Sequence, residues 1–152
     1  MTKRYTRDAR SPIPKSETVS RVMSANKAKN TKPELILRRV LFASGLRGLR
    51  SHPKKTPGTP DMIHAKMKVA VFVHGCYWHH CPKCNFPLPK HNRNFWKKKF
   101  ARNQERDAEK LCLLKMASWK TVVVWEHEIK NDPRRVAQKI IGVINRRTLR
   151  VS

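Results

Sequence analysis

The chain has 152 residues, 35 of them Lys or Arg and 10 Asp or Glu, for a formal charge of +25. That length suits one domain around one core, and a hydrophobic content of 39% argues against wholesale disorder. Apolar runs of only a few residues exclude a membrane-spanning helix, which needs about 20, while positive charge spread along the chain calls for a polyanionic partner, nucleic acid first.

Residues 1–20 are polar, basic and proline-bearing (SPIPKS) with no sustained period, and predict a flexible basic arm ahead of a single domain over residues 21–152. No apolar segment in MTKRYTRDARSP signals secretion, so a cytoplasmic location is expected, where four cysteines act as thiols or metal ligands rather than disulfides. The stretch NTKPELILRRVLFASG predicts the first helix: Thr31 is its N-cap, Pro33 lies in the first turn and Glu34 suits the positive end of the dipole. Leu37, Val40 and Leu41 form its apolar stripe, and Gly45 stops it. GLRGLRSHPKKTPGTPD, rich in basic residues, Gly and Pro, reads as a connecting segment. Two strands follow, a short one at 61–64 and a better one at 68–73, with AKMK closing a hairpin between them.

After the Cys/His-rich stretch and the loop NFPLPKHNR comes a long helix over about residues 94–117, with Trp96, Phe100, Leu111 and Leu114 on its apolar side. KTVVVWEHEI is the most apolar strand, and Asp132 and Pro133 cap a last helix whose face is Val136, Ile140, Val143 and Ile144. The order helix, strands, helix, strand, helix predicts a small three-layer α/β domain with a mixed central sheet.

Chemistry concentrates in FVHGCYWHHCPKC, where His74, Cys76, His79, His80, Cys81 and Cys84 place six nitrogen or sulfur ligands in eleven residues. Cys76-x4-Cys81-x2-Cys84 fits three ligands of a structural zinc. His127, leaving the end of the apolar strand in WEHEI, is the preferred fourth ligand, against His79, His80 and His91. Cys112, within EKLCLLKM, reads as a core thiol.

In a basic protein that handles phosphodiesters, carboxylates are candidate Mg²⁺ ligands. Asp61 stands out because it follows GTP and opens a strand pair, the layout in which many metal-dependent nucleases converge an aspartate with a group on the next strand. A turn aspartate would explain it equally well. The usual acid-x-lysine partner is missing, and Val73-His74-Gly75 stands in its place, so the metal must borrow a backbone carbonyl, for which Val73 is the best-placed candidate. His74 and His79 would supply proton transfer and charge stabilisation in place of the lysine. For His79 zinc ligation stays open, since Cys76-x2-His79 has ligand-pair spacing.

PDM, VAVFVHGCYWHHC, NTKPELILRRVLFASGLR upstream and NRNFWKKKFARNQERDAEKL with WKTVVVWE downstream together resemble the very-short-patch repair (Vsr-type) DNA mismatch endonucleases over about residues 18–130. The resemblance implies a restriction-endonuclease-like fold, a bacterial nucleoid-associated monomer, and Mg²⁺-dependent nicking of one DNA strand at a T:G mismatch, with a mismatch-repair factor as a further partner. It casts Asp61 and Val73 as metal-binding positions, His74 as the histidine near the scissile phosphate and His79 as the one that activates water. Glu34 becomes a helix-start acid near the catalytic centre, and Tyr77, Trp78 and Trp96 become aromatics wedged into the base stack. Without the resemblance, Trp96 reads as core packing at a helix start. Some members carry a histidine where Cys81 stands and a cysteine after the WE of the last strand. Cys76, Cys81, Cys84 and His127 would thus be a permutation of the same ligand count. Two rivals remain: a zinc-stabilised nucleic-acid binding protein without catalysis, and a related nuclease without mismatch preference.

Overall fold

A computed structural model of the chain describes residues 12–149. Its elements are α1 (Glu17–Ser24), α2 (Lys32–Ala43), β1 (Leu49–Ser51), β2 (Met62–His64), β3 (Val69–His74), α3 (Arg93–Met116), β4 (Lys120–Trp125), α4 (Glu126–Asn131) and α5 (Pro133–Thr148). The strands form one mixed sheet in the order β1-β2-β3-β4. β1 and β2, then β2 and β3, pair antiparallel, and β3 runs parallel to β4, with Val71 opposite Val122 and His74 opposite Trp125. Parallel pairing requires a crossover, and the long α3 supplies it.

Side chains alternate across the sheet, and the alternation sorts the core into two layers. Met62, Val69, Val71, Val122 and Val124 pack with Leu37 and Leu41 of α2, Ile129 of α4, and Val136, Ile140 and Ile144 of α5. Ile63, Ala70 and Phe72 face the other way, onto Leu114 with Leu111 of α3. The expected three-layer arrangement is therefore present, with α2, α4 and α5 on one face and α3 on the other. The same parity turns His74, at the end of β3, toward the α3 side.

Most expected elements occur, and the departures have local causes. Four residues of the segment taken as an arm, Glu17 to Ser20, begin α1, because Ser16 caps it by accepting from the Val19 N–H at 3.3 Å; residues 1–11 lie outside the described residues. The basic, Gly- and Pro-rich connection contains β1, whose three residues are held by pairing with β2 rather than by any pattern of their own. WEHEI does not continue the strand: Glu128 accepts from the Trp125 N–H at 2.9 Å and starts α4. The hairpin closes as expected, with Lys68 in the left-handed region at φ 48° and its N–H donating to the Ala65 carbonyl. No helix among the described residues is long and apolar enough to cross a membrane.

Candidate active site and metal centre

The loop after β3 is wound tightly by its own backbone. The His79 N–H donates to the Gly75 carbonyl, Cys81 N–H to Cys76 and Asn85 N–H to Cys81, the last at 3.0 Å. This winding gathers three thiols, and α4 delivers His127 to them. His127 Nδ1 stands 3.3 Å from Cys76 Sγ and 3.6 Å from both Cys81 Sγ and Cys84 Sγ. A tetrahedral zinc with ordinary Zn–S and Zn–N bonds has S···N edges of about 3.6 Å. The donor set therefore fits zinc in both chemistry and spacing, and His79, His80 and His91 stand outside it. Burial pushes the Cys76 thiol up to about 12. Burial also acts to raise Cys81, but the N–H groups of Cys84 and Lys83 outweigh it and lower that thiol. Cys112 is exposed on α3, not in the core, because it sits two residues before the buried Leu114 and so points off that stripe.

Asp61 ends the connecting segment just before β2. The Val73 N–H donates to its Oδ2 at 2.7 Å, and its own N–H donates to the Val71 carbonyl. Asp61 and Val73 are thus brought together across the β2–β3 pair. Burial, reinforced by the charge of Glu34, raises the Asp61 carboxyl above its ordinary value, against the Val73 N–H, His52 and Lys110. Glu34 is 4% exposed, accepting from the Asn30 N–H at 3.0 Å and the Thr31 hydroxyl at 2.8 Å. It occupies the first position of the buried stripe Glu34, Leu37, Leu41, a spacing visible in the sequence. His52 joins this pair, its Nε2 3.2 Å from Glu34 Oε2. The three side chains place one ligand atom each within 4.8 Å of one another. His52 lies in the Pro- and Gly-rich connection, where no periodicity singles it out.

His74 is buried and stacks on His79, ring centroids 4.0 Å apart and planes 5° from parallel. Burial, reinforced by the facing His79, lowers His74 to about 4, so it is neutral near pH 7. Asp107 of α3 anchors the pair, its Oδ2 2.5 Å from His79 Nδ1 and its Oδ1 4.0 Å from His74 Nε2. Burial alone would raise Asp107, but the hydrogen bond and charge of His79, with His74 and Lys110, hold it below the usual carboxylate range. Asp107 was not singled out among the acids. A signal existed: Trp96, Phe100, Asn103, Asp107, Lys110 and Leu114 recur every three or four residues, an inward stripe with polar groups at its centre. Asn103 also belongs to it, donating to the Trp78 carbonyl at 2.9 Å.

Tyr77 and Trp78 leave the zinc loop toward α3. Tyr77 makes edge contacts with Trp78, Phe86, Trp96 and Phe100. Trp96 is 9% exposed within this cluster, and the Lys99 ammonium stands 5.2 Å over its ring and 5.3 Å over that of Trp78. His80, in the left-handed region at φ 51°, stacks on Phe100. Glu34, Asp61, Val73, His74, His79, Asp107 and the three aromatics all line one cleft of about 1520 Å³.

Residues 12–85 match the family model described as DNA mismatch endonuclease Vsr. The type II nicking enzyme V.NmeAIP of Neisseria meningitidis serogroup A is 42% identical over 72% of this chain and 78% of its own length. The chain belongs to the Vsr endonuclease family. The DNA mismatch endonuclease Vsr of Escherichia coli is 33% identical over 72% of this chain and 69% of its own. The type II nicking enzyme V.XorIIP of Xanthomonas oryzae is 36% identical over 72% and 80%. This protein is accordingly an endonuclease, and His74, His79, Cys76, Cys81 and Cys84 all lie within the Vsr-matching segment.

Proposed function

We propose that this protein is a Mg²⁺-dependent endonuclease, restriction-endonuclease-like in fold, that nicks one strand of duplex DNA beside a T:G mismatch. The observation that carries the reading is the convergence of Glu34 and Asp61 with His74, His79 and Asp107 on one cleft that Tyr77, Trp78 and Trp96 also line.

Asp61 and the Val73 carbonyl would hold the divalent ion, with Glu34 close by. A buried and a partly buried carboxylate, with the charge of Glu34 helping to raise Asp61, fit a cation. An ion held there supplies positive charge against a scissile phosphate. His79 would take the proton of the attacking water at Nε2, because Asp107 occupies its Nδ1 and fixes the ring. Neutral His74, packed against His79, would donate a hydrogen bond to the phosphate. Tyr77, Trp78 and Trp96 would stack on bases beside the mismatch, which requires Trp96 to emerge from its cluster and Lys99 to release the ring faces. Cys76, Cys81, Cys84 and His127 would hold zinc as a staple between the loop and α4.

The deciding experiment is strand nicking of end-labelled duplexes carrying T:G or T:A at one position, with Mg²⁺ or EDTA, for wild type and Asp61→Ala. Mg²⁺-dependent nicking 5′ to the mismatched T, lost in Asp61→Ala, is expected. Equal nicking of paired DNA would remove the mismatch preference, and salt-sensitive binding without cleavage would leave a zinc-stabilised binding protein.

A further inference from the structure

His52 has no part in the reading above, yet it is held at the metal-binding carboxylates in an arrangement that hydrogen bonding does not explain. Its Nε2 is buried and has no aligned hydrogen-bond partner, although Glu34 Oε2 lies only 3.2 Å away. Both Glu34 oxygens already accept from other donors, the Asn30 N–H and the Thr31 hydroxyl. Asp61 uses Oδ2 to accept from Val73 and has no such partner on Oδ1 among the described residues. A nitrogen and an oxygen 3.2 Å apart with no aligned hydrogen bond between them have the separation of two ligands of one ion. Adjacent ligands about 2.1 Å from an octahedral ion stand about 3.0 Å apart, close to the separation seen here.

The backbone supports the same conclusion. His52 takes φ 47°, the left-handed region, which costs a residue with a Cβ about 1 kcal/mol or more. Its N–H donates to the Asp61 carbonyl at 2.9 Å, so the strained residue is tied to the aspartate it faces. Strain retained at a partly buried imidazole beside two carboxylates points to a role for that ring.

We propose that Glu34 Oε2 and His52 Nε2 join Asp61 and the Val73 carbonyl as ligands of the cation, and that this nitrogen makes the site prefer Mn²⁺ over Mg²⁺. Mg²⁺ is a hard ion that takes oxygen and sheds water reluctantly. Imidazole suits the transition metals, whose affinity for a nitrogen-bearing site exceeds that of Mg²⁺. The proposal rests on the metal-dependent reading above and adds to its oxygen donors the Glu34 carboxylate and one imidazole nitrogen. The competing arrangement is a protonated His52 that merely pairs with Glu34 and leaves the ion to oxygen ligands.

The test is MnCl₂ titration of the zinc-loaded full chain, followed by pulsed EPR of the bound ion. The expected spectrum shows ¹⁴N coupling that disappears in His52→Gln and persists in His79→Gln. Mn²⁺ affinity should exceed Mg²⁺ affinity by about tenfold or more, and His52→Gln should narrow that ratio by about tenfold. Absence of ¹⁴N coupling in the wild type, a measurement that needs no variant, would overturn the proposal, as would coupling that survives in His52→Gln. Asp61→Asn separates the two readings. If it abolishes Mn²⁺ binding while the wild-type spectrum lacks ¹⁴N coupling, His52 is excluded and the carboxylate site stands. If Mn²⁺ still binds normally, the assignment of Asp61 to the metal fails first and His52 with it.

Discussion

His74 is the side chain whose ionisation the fold alters most visibly, and the sign of the consequence follows from its surroundings. Its folded value, lowered to about 4, lies below the ordinary 6.5, so between those two pH values the unfolded chain binds more protons than the folded one. Stability should therefore fall as pH drops from 6.5 toward 4, by up to roughly 3 kcal/mol at the lower end. Thermal melts of wild type and His74→Gln across that range should converge as acid is added; parallel curves would count against a buried neutral imidazole. Asp107 acts on the neighbouring ring. Asp107→Asn should lower the nicking rate by about tenfold to a hundredfold with little change in DNA affinity, because the amide no longer fixes the protonated Nδ1 of His79. Single-turnover kinetics beside a binding titration would separate the two. His79 itself was prominent in the sequence, since density of ligands marks it. Its carboxylate partner was not, because Asp107 lies 28 positions away and only the docking of α3 on the sheet brings them together.

Two connections set the geometry on which those side chains depend. Gly58 adopts φ +70°, and a Cβ there would meet the Lys110 carbonyl oxygen of α3 at 2.9 Å. Gly58→Ala should destabilise the domain by about 2 kcal/mol and lower nicking, since the segment that delivers Asp61 must lift from α3. Chemical denaturation of that variant is the direct check. The second connection is the Cys₃His cluster, which ties the loop bearing Tyr77, Trp78 and His79 to the start of α4. His127→Ala should lower metal content toward less than one equivalent of zinc and reduce Tm by several degrees, read by metal analysis and melting together. The sequence carried this cluster well, because thiol spacing is local and α4 needed only to supply one histidine. It carried β1 and α4 poorly: three strand residues and a six-residue helix are too short to show a period.

Taken together, the molecule is a strongly positive body around one cleft, with a formal charge of +25 over 152 residues. If DNA neutralises six or more of those charges, affinity should fall by about a thousandfold between 50 and 200 mM salt, measurable by fluorescence anisotropy on matched and mismatched duplexes. A shallow slope would mean that most of the basic residues face away from the bound strand. Charge, the apolar strands Val69–His74 and Lys120–Trp125, the helix stripes and the cysteine spacing were all legible in the chain, because each is a property of near neighbours or of composition. The sequence likewise marked Asp61, His74 and His79. The resemblance also set Glu34 near the catalytic centre, but the sequence could not say that His52 meets Glu34 and Asp61, that Asp107 holds His79, or that Cys112 faces outward. Those facts arise once α2 packs on one face of the sheet and α3 on the other, because contacts between distant segments exist only when burial of the two core layers has fixed their positions.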